Sequence, residues 1–252
     1  EYCNLCSTVI APSQSIRDLL IERGVTVPVV PIPTGIDTDF FSSGDGIRFR
    51  NNAGLPEEAI VVGHVGRLAP EKNLGFLAEA LGVFLKSRPD AAFLLVGEGD
   101  EGETMMTILN EAGVADRVCR AGSLSGPRLA DAYAAMDVFV FASQSETQGM
   151  VLAEAMAAGK PVIALDGPGV REIVIDGANG FLLPGASSSD DFSEALRTLV
   201  GDGAAMGRRG AMARSSAADF DHHYCAREVT DIYEKVIGER PVRPEEEKMP
   251  WD

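Results

Sequence analysis

Two glutamates, Glu146 and Glu154, have a spacing and a context that suggest ligand binding. They stand eight residues apart in the segment SETQGMVLAEAMAAGKPVIAL, where a loop after the apolar run DVFVFA leads into a helix predicted to begin near Gly149. The first carboxylate is expected in the loop and the second about two turns into the helix, with unpaired backbone N–H groups between them. Hydroxyls donate to carboxylates and phosphates accept from helix N-terminal amides, so this segment is suited to holding a sugar, a diphosphate and a ribose in a row.

Two cations follow a second apolar run, IVVGHV. Arg67 and Lys72 lie in the segment GRLAPEKN, directly before a clear amphipathic helical pattern. A guanidinium offers a fixed fork to phosphate oxygens and an ammonium offers a movable charge, and both add to the positive field of a helix N-terminus. One such residue alone would be read as an ordinary loop cation that pairs with Glu71 or faces water. Together with the glutamate loop, the two favour phosphate binding.

A glycine-rich segment, GEGDEG, follows the run AFLLV and has the G-x-G-x-x-G spacing of dinucleotide-binding loops. A dinucleotide is nevertheless disfavoured, because Glu98, Asp100 and Glu101 place negative charges where a pyrophosphate would approach. The acidic ribose ligand expected about 20 residues further on is also missing. Gly97 and Gly99 instead indicate a loop that passes close to a nucleobase, or simply a tight turn.

The remaining reactive residue types do not form recognisable sites. His222 and His223 lack carboxylates at ligand spacing, so no metal is assigned. Neither a Ser-His-Asp arrangement nor a G-x-S-x-G elbow is present, which disfavours a hydrolase. His64 lies within an apolar strand, where a satisfied core or rim histidine is the usual finding. The C-x-x-C pair at Cys3 and Cys6 has no second pair to complete a zinc site.

The composition limits the class of partner. The 252 residues include 38 acidic and 22 basic side chains, a formal charge of -16, which disfavours a nucleic-acid surface of clustered Lys and Arg. No run approaches the roughly 20 apolar residues of a membrane span, and the chain does not open with a signal peptide. We therefore expect a globular, cytoplasmic protein without a nucleic-acid partner.

Short apolar runs alternate with segments of helical period, a pattern typical of βαβ units. It predicts an α/β fold with a doubly wound, Rossmann-like parallel sheet followed by C-terminal helices. Both glutamates and GRLAPEKN follow predicted strands, so we expect them to face one crevice beyond the carboxyl ends of the sheet. The predicted strands are 8–11, 27–32, 60–65, 92–96, 117–121, 138–142, 161–165 and 180–183, and the predicted helices are 13–22, 73–86, 101–112, 127–134, 151–158, 170–174 and a helical run over 189–237.

Several motifs in fixed order carry a family resemblance. They are PTGIDTDFF, VGRLAPEKN, LLVGEGDEG, SETQGMVLAEAMAAGKPVIA and GVREIVIDGANGFLLP. Over about residues 7–237 the chain resembles the C-terminal, donor-binding half of a glycosyltransferase of family 4 (group 1). The resemblance implies a GT-B fold, in which two Rossmann-like domains face a cleft, and transfer of a hexose with retention of anomeric configuration. It also implies that no metal or other cofactor is required.

The resemblance implies a role for each matching residue. Arg67 and Lys72 would contact the diphosphate of a UDP- or GDP-linked sugar and stabilise the leaving group, and Glu146 would hold hexose hydroxyls. Glu154 would hold the ribose hydroxyls. The remaining implied donor contacts are the backbone around Gly149, Met150 and Val151, and the loops at Gly97, Gly99, Ser123 and Leu124 near the base.

The resemblance also implies a division of the chain. Residues 1–40 look like the last helix of an N-terminal domain and the crossover linker, 41–238 form the nucleotide-sugar domain, and 239–252 form a charged tail. The N-terminal acceptor domain is not in this sequence, so we expect the chain to bind donor without catalysing transfer by itself. The variant Glu146-Thr147-Gln148-Gly149 is similar to that of diacylglycerol glucosyltransferases, which adds a lipid to the sugars and small molecules to consider as acceptor and would place the parent at a membrane surface.

Other functions remain open at this stage. A non-catalytic nucleotide-sugar-binding module would share the fold, and a non-hydrolysing UDP-sugar epimerase would share the two-domain architecture, although the 67–72 segment fits it less well. An NAD-dependent dehydrogenase is the weakest alternative because of the acidic glycine loop. The nucleobase, the hexose and the acceptor are not specified by the sequence.

Overall fold

The computed structural model describes residues 2–143 and 145–238. Within them, a six-stranded sheet has the order β5-β4-β3-β6-β7-β8, and every neighbouring pair is parallel. A separate parallel pair joins the first two strands. The strands are β1 Val9–Ala11, β2 Val29–Pro31, β3 Ile60–Val65, β4 Ala91–Val96, β5 Val118–Gly122, β6 Val138–Phe141, β7 Val162–Leu165 and β8 Gly180–Leu183.

The strand order places a topological switch between β3 and β6. The chain proceeds outward from β3 through β4 to β5, then returns to the middle and proceeds outward from β6 through β7 to β8. In an open parallel sheet of this kind, a crevice forms beyond the carboxyl ends of the two strands at the switch. The segments that leave those ends are 66–73 and 142–149, which carry the cations and the first glutamate. The doubly wound sheet predicted from the sequence is therefore confirmed.

Helices cover both faces of this sheet and bury its apolar residues. On β6, Phe139 and Phe141 face one apolar cluster, whereas Val138 and Val140 face the other. All four are at most 1% exposed. A buried phenylalanine contributes roughly 3–5 kcal/mol relative to alanine, so the core holds the ends of the central strands rigidly. The helices are α1 Gln14–Glu22, α2 Thr38–Ser42, α3 Gly46–Ala53, α4 Leu74–Ser87, α5 Glu101–Glu111, α6 Pro127–Ala135, α7 Met150–Ala157, α8 Ser189–Gly201, α9 Gly203–Ala217 and α10 His222–Gly238.

The predicted helix at 170–174 is wrong. The chain there makes a succession of turns, beginning with single helical bonds such as that from Val174 N to Val170 O at 2.9 Å. These bonds do not continue as a helix because of the buried side chain of Asn179. That side chain accepts from Ile175 N at 2.8 Å and donates to Ile173 O at 3.0 Å. These backbone groups are thereby withdrawn from a helical ladder.

Two helices were not predicted. Asp37 caps α2 through Phe40 N at 2.8 Å, and Asp45 caps α3 through Arg48 N at 2.9 Å. At the other end of the chain, the helix expected to open the sequence is a 3-10 turn over Tyr2–Leu5. The helical run over 189–237 is confirmed as α8, α9 and α10. The predicted tail, 239–252, lies outside the described residues.

Candidate functional site

The two central loops of the crevice meet through an ion pair. Lys72 ends a 3-10 turn over Pro70–Lys72 that leads into α4, and its ammonium pairs with the carboxylate of Glu146. The two side chains are only 17% and 14% exposed. A second link joins the same loops, because the hydroxyl of Ser143 donates to Glu71 O at 3.0 Å. The structure thus brings together Lys72 and Glu146, which lie far apart in the sequence.

Arg67 is placed differently from Lys72. Its guanidinium pairs with Glu71 in the same loop, and its side chain is 72% exposed. An exposed pair of this kind is weak and is readily exchanged for another anion. Arg67 therefore lies at the entrance of the crevice, while Lys72 lies within it.

The N-terminus of α7 follows the glutamate loop. Gly149 occupies the N-cap position with φ 65°, in the left-handed region that glycine enters most readily. The amides of Met150 and Val151 are the first of the helix, so the helix itself offers them no carbonyl partner. Gly169 packs against this loop so closely that a Cβ there would lie 3.1 Å from Glu146 O. The anion-binding end of a helix and the Glu146 loop are therefore held as one unit.

Glu154 lies in the second turn of α7, where its carboxylate accepts a hydrogen bond from the hydroxyl of Tyr133 at 2.6 Å. Burial raises the pKa of Glu154 above its ordinary value, and the bond from Tyr133 opposes that shift. Burial and the neighbouring carboxylate raise the pKa of Tyr133 well above its ordinary range. Tyr133 therefore stays a hydroxyl donor, and Glu154 keeps acceptor capacity for further hydroxyls.

A run of rings joins the two ends of the site along the sheet. The Lys72 ammonium lies 5.8 Å from the centroid of the Phe141 ring, and the His64 ring lies 6.1 Å from Phe141 and 6.2 Å from Phe139. Phe139 in turn lies 5.9 Å from Tyr133, which holds Glu154. Packed aromatic rings change position little, so the lysine and the second glutamate are positioned by a common rigid layer.

His64 adds no charge to this layer. Its Nδ1 lies 3.0 Å from Val140 O, and its buried Nε2 has no partner among the described residues. Burial, together with the nearby charge of Lys72, lowers the pKa of His64 to about 4. The expectation of a core histidine is correct for its burial, but only one of the two ring nitrogens is satisfied.

The glycine-rich loop is shaped by close backbone contact. A Cβ on Gly97 would lie 1.8 Å from Gly66 O, and one on Gly99 would lie 2.2 Å from Leu68 O. The loop therefore lies directly against the segment that carries Arg67. It borders a cavity of about 300 Å³, and the Glu98 carboxylate accepts from Ser123 N at 3.4 Å. Leu124 is half-buried against the core.

Sequence reasoning missed three residues that hold the site. Tyr133 carries no motif of its own and is identified only by its contact with Glu154. Gln148 accepts from the Thr34 hydroxyl at 2.8 Å and donates to Pro12 O at 3.1 Å. Glu172 accepts from the first amides of α1, Gln14 N at 2.5 Å and Ser15 N at 2.9 Å. The ETQG variant, which contains Gln148, was the one available signal.

Neither a metal site nor a membrane span is found within residues 2–143 and 145–238. In that part of the chain, no cluster of three or more His, Cys, Asp or Glu side chains is arranged to hold a metal. No helix there has both the length and the apolar character needed to cross a membrane.

Comparison with known proteins identifies the family. The model of the family described as "Glycosyl transferases group 1" matches residues 46–216, well over half of the chain. The chain belongs to this family. The match includes all residues predicted here to contact a donor, from Arg67 to Glu154.

Curated proteins similar to this glycosyltransferase domain are themselves named glycosyltransferases. A D-inositol 3-phosphate glycosyltransferase of Stackebrandtia nassauensis is 32% identical over 225 residues, which cover 86% of this chain and 51% of the relative. A GDP-mannose-dependent alpha-mannosyltransferase of Mycolicibacterium smegmatis is 38% identical over 189 residues, which cover 75% of this chain and 46% of the relative. The chain thus spans about half the length of these curated relatives.

Solved structures confirm the fold. Anabaena Alr3699/HepE in complex with UDP-glucose superposes with a TM-score of 0.81 at 27% identity, over 91% of this chain and 64% of that one. A glycosyltransferase from Rickettsia africae superposes with a TM-score of 0.83 at 20% identity, over 93% of this chain and 64% of that one, which supports the fold alone. The family domain therefore has the Rossmann-like fold found in GT-B glycosyltransferases.

Proposed function

We propose that this chain holds the nucleotide-sugar donor of a retaining hexosyltransferase, with the diphosphate at Lys72 and the N-terminus of α7. The observation that carries the proposal is the meeting of Lys72 and Glu146 at the switch between β3 and β6. A relative that depends on GDP-mannose and a neighbour that binds UDP-glucose support a nucleotide sugar as the ligand. The titrations described below decide whether the base is uracil or guanine.

Each end of the donor has a matching group. Glu146 accepts from hexose hydroxyls, and the amides of Gly149, Met150 and Val151 face the sugar and the diphosphate. Glu154 accepts from ribose hydroxyls, with Tyr133 fixing the orientation of its carboxylate. The base lies in the cavity beside Gly97 and Gly99, with the loop of Ser123 and Leu124 as a further contact.

The chemistry that this arrangement supports is the departure of a nucleoside diphosphate from the sugar. Negative charge grows on the leaving diphosphate as the glycosidic bond breaks, and preorganised positive groups stabilise that charge. Lys72 and the α7 amides supply this positive potential from within the crevice. Arg67 adds to it from the entrance once its guanidinium leaves Glu71. The sugar is oriented by Glu146, which takes no covalent part.

The acceptor belongs to a second domain of the GT-B type in this proposal. The curated relatives are about twice as long as the segment matched here. We propose that this second domain carries the acceptor site, with a sugar, a small molecule or a lipid as the acceptor. The proposed location is the cytoplasm, at a membrane surface if the acceptor is a lipid, and no metal or other cofactor is proposed.

Isothermal titration calorimetry with UDP-, GDP- and ADP-sugars tests the proposal. One of these donors should bind the wild-type chain with unchanged affinity in EDTA. Replacing Glu154 by alanine removes a charge-assisted hydrogen bond worth about 1.5–3 kcal/mol, so its affinity should fall roughly ten- to hundredfold. Glu79→Ala, an exposed glutamate on α4, is the matched control and should bind as the wild type does. Equal affinity of Glu154→Ala and the control would refute the ribose assignment.

A further inference from the structure

The Lys72–Glu146 ion pair joins two residues to which the proposed function gives different parts of the ligand. Lys72 is assigned to the diphosphate and Glu146 to the sugar, yet in the structure each is the other's partner. The pair is much less exposed than the Arg67–Glu71 pair, in which the two side chains are 72% and 33% exposed. Binding at this site must therefore begin from a neutralised pair and not from free charges.

A nucleoside diphosphate and a nucleotide sugar affect this pair differently. A nucleoside diphosphate draws Lys72 toward its phosphates and offers nothing to Glu146, which is then left as a poorly solvated carboxylate beside added negative charge. Leaving one member of a largely buried pair without its partner is strongly unfavourable. A nucleotide sugar brings the same phosphates together with hydroxyls that donate to Glu146, so both members of the pair exchange one partner for another.

We infer that the Lys72–Glu146 pair is a selectivity latch, which favours the sugar-bearing nucleotide over the nucleoside diphosphate and reforms when the sugar has left. The inference rests on the proposed donor site and adds a property of it. Glu146 thereby has two roles: it accepts from the sugar when a donor is bound, and it competes with the diphosphate for Lys72 when the sugar is absent. The second role helps to expel the nucleoside diphosphate after transfer.

The test compares two ligands on two forms of the chain. UDP-glucose and UDP, or GDP-mannose and GDP, are titrated into the wild type and Glu146→Gln at one pH, so the extra charge of the free diphosphate affects both forms alike. Because glutamine does not compete for Lys72, we expect Glu146→Gln to bind the nucleoside diphosphate about tenfold more tightly, equal to about 1.4 kcal/mol. The preference for the sugar-bearing ligand should fall by at least that factor. Equal weakening of both ligands would overturn the latch.

Glu71→Gln is the matched comparison, because it also removes an anion paired with a predicted phosphate ligand. Its pair with Arg67 is exposed and screened, so the gain in nucleoside diphosphate affinity should be clearly smaller than in Glu146→Gln. An equal gain would show that any nearby negative charge acts in the same way, and would contradict a specific latch.

A measurement without ligand separates this inference from the proposed function. In urea unfolding, Lys72→Met and Glu146→Gln should each lower the midpoint, and the double variant should lose less than the sum of the two, because the second substitution removes a charge that has already lost its partner. Additive shifts would refute the pair itself. If the shifts are not additive but the wild type binds no nucleotide or nucleotide sugar, the proposed donor site fails while the pair stands.

Discussion

At the scale of single residues, the site depends on buried polar groups and on the partners that compensate them. Lys72 and Glu146 neutralise one another, His64 is held neutral, and the pKa of Glu154 is raised by burial and partly restored by the hydroxyl of Tyr133. The ionised form of Glu154 accepts hydrogen bonds from hydroxyls more strongly than the protonated form, which has a proton of its own to donate. Ligand affinity should therefore depend on pH over the range in which Glu154 titrates.

Donor affinity is expected to fall in acid, with a midpoint above the ordinary glutamate value of 4.5. Above the pKa of Glu154 the carboxylate is ionised and binding is full, whereas below it affinity should drop about tenfold per pH unit. Tyr133→Phe removes a bond that favours the ionised form, so the fall should move to higher pH. Calorimetry with the nucleotide sugar, whose diphosphate is esterified at both ends and so keeps its charge across this range, measures the midpoint. Glu154→Gln should abolish the dependence, and its persistence would assign the effect to another group.

At the scale of elements, the cations at the amino ends of the strands differ in role from those at the carboxyl ends. The helices finish at the amino ends of the strands, where carbonyls without helical partners attract positive charge. Arg50 donates to Ala135 O at 2.9 Å, and Lys160 donates to Ala134 O at 2.9 Å, both at the C-terminus of α6. Arg117 donates to Leu85 O near the end of α4 at 2.6 Å. These cations bind the C-terminal carbonyls of the helices, whereas Lys72 and Arg67 lie at the carboxyl ends of the strands.

Lys160 should make stability rise with pH in the alkaline range. Burial lowers its pKa from 10.5 to about 8, so between these values the folded state binds fewer protons than the unfolded state and the free energy of unfolding increases. Relative to Lys160→Met, the wild type should gain up to about 3 kcal/mol across this window, less whatever solvent screening removes. Urea unfolding at a series of pH values measures the difference. Lys86→Met, an exposed lysine on α4, should keep the wild-type profile, and a flat difference for Lys160→Met would contradict the assignment.

At the scale of the whole molecule, the N-terminal segment and the ligand loops are joined. The side chain of Gln148 bridges Thr34 and Pro12, and Glu172 binds the first amides of α1. The segment 9–34 therefore does not lie apart from the site, although the sequence places it on the other side of a domain boundary at residue 40.

Thr34→Val is expected to loosen both sides of this junction. It removes the hydroxyl that holds Gln148, so amides in residues 145–150 and around residues 12–15 should exchange with solvent more rapidly. Hydrogen exchange read by mass spectrometry detects the change. Thr8→Val, which removes a similar bond to Pro28 O at 3.0 Å within the N-terminal segment, should leave residues 145–150 unaffected. Increased exchange confined to the neighbourhood of residue 34 would show that the two parts are independent.

The sequence predicted the eight strands and the doubly wound sheet because period and turn residues are local signals. For the same reason it placed Lys72 and Glu146 in the loops that follow β3 and β6, and Glu154 within the helix after the second loop. It did not reveal that Tyr133 holds Glu154 or that Lys72 pairs with Glu146, since those contacts depend on packing between distant segments. The false helix at 170–174 has the same cause, because Asn179 acts from beyond the segment. By contrast, α2 and α3 had a local signal in their Asp caps that was overlooked.

The packing of the glycine loop restricts how this protein can be redesigned. No side chain can be introduced at Gly97 or Gly99, because the carbonyls of Gly66 and Leu68 occupy the space. This part of the cavity lining therefore admits no side chain, and diversity in a variant library has to be directed to other lining residues, such as Glu98 and Arg120. Libraries restricted to these positions would change the shape and charge of the cavity while leaving the attachment of the Arg67 loop intact.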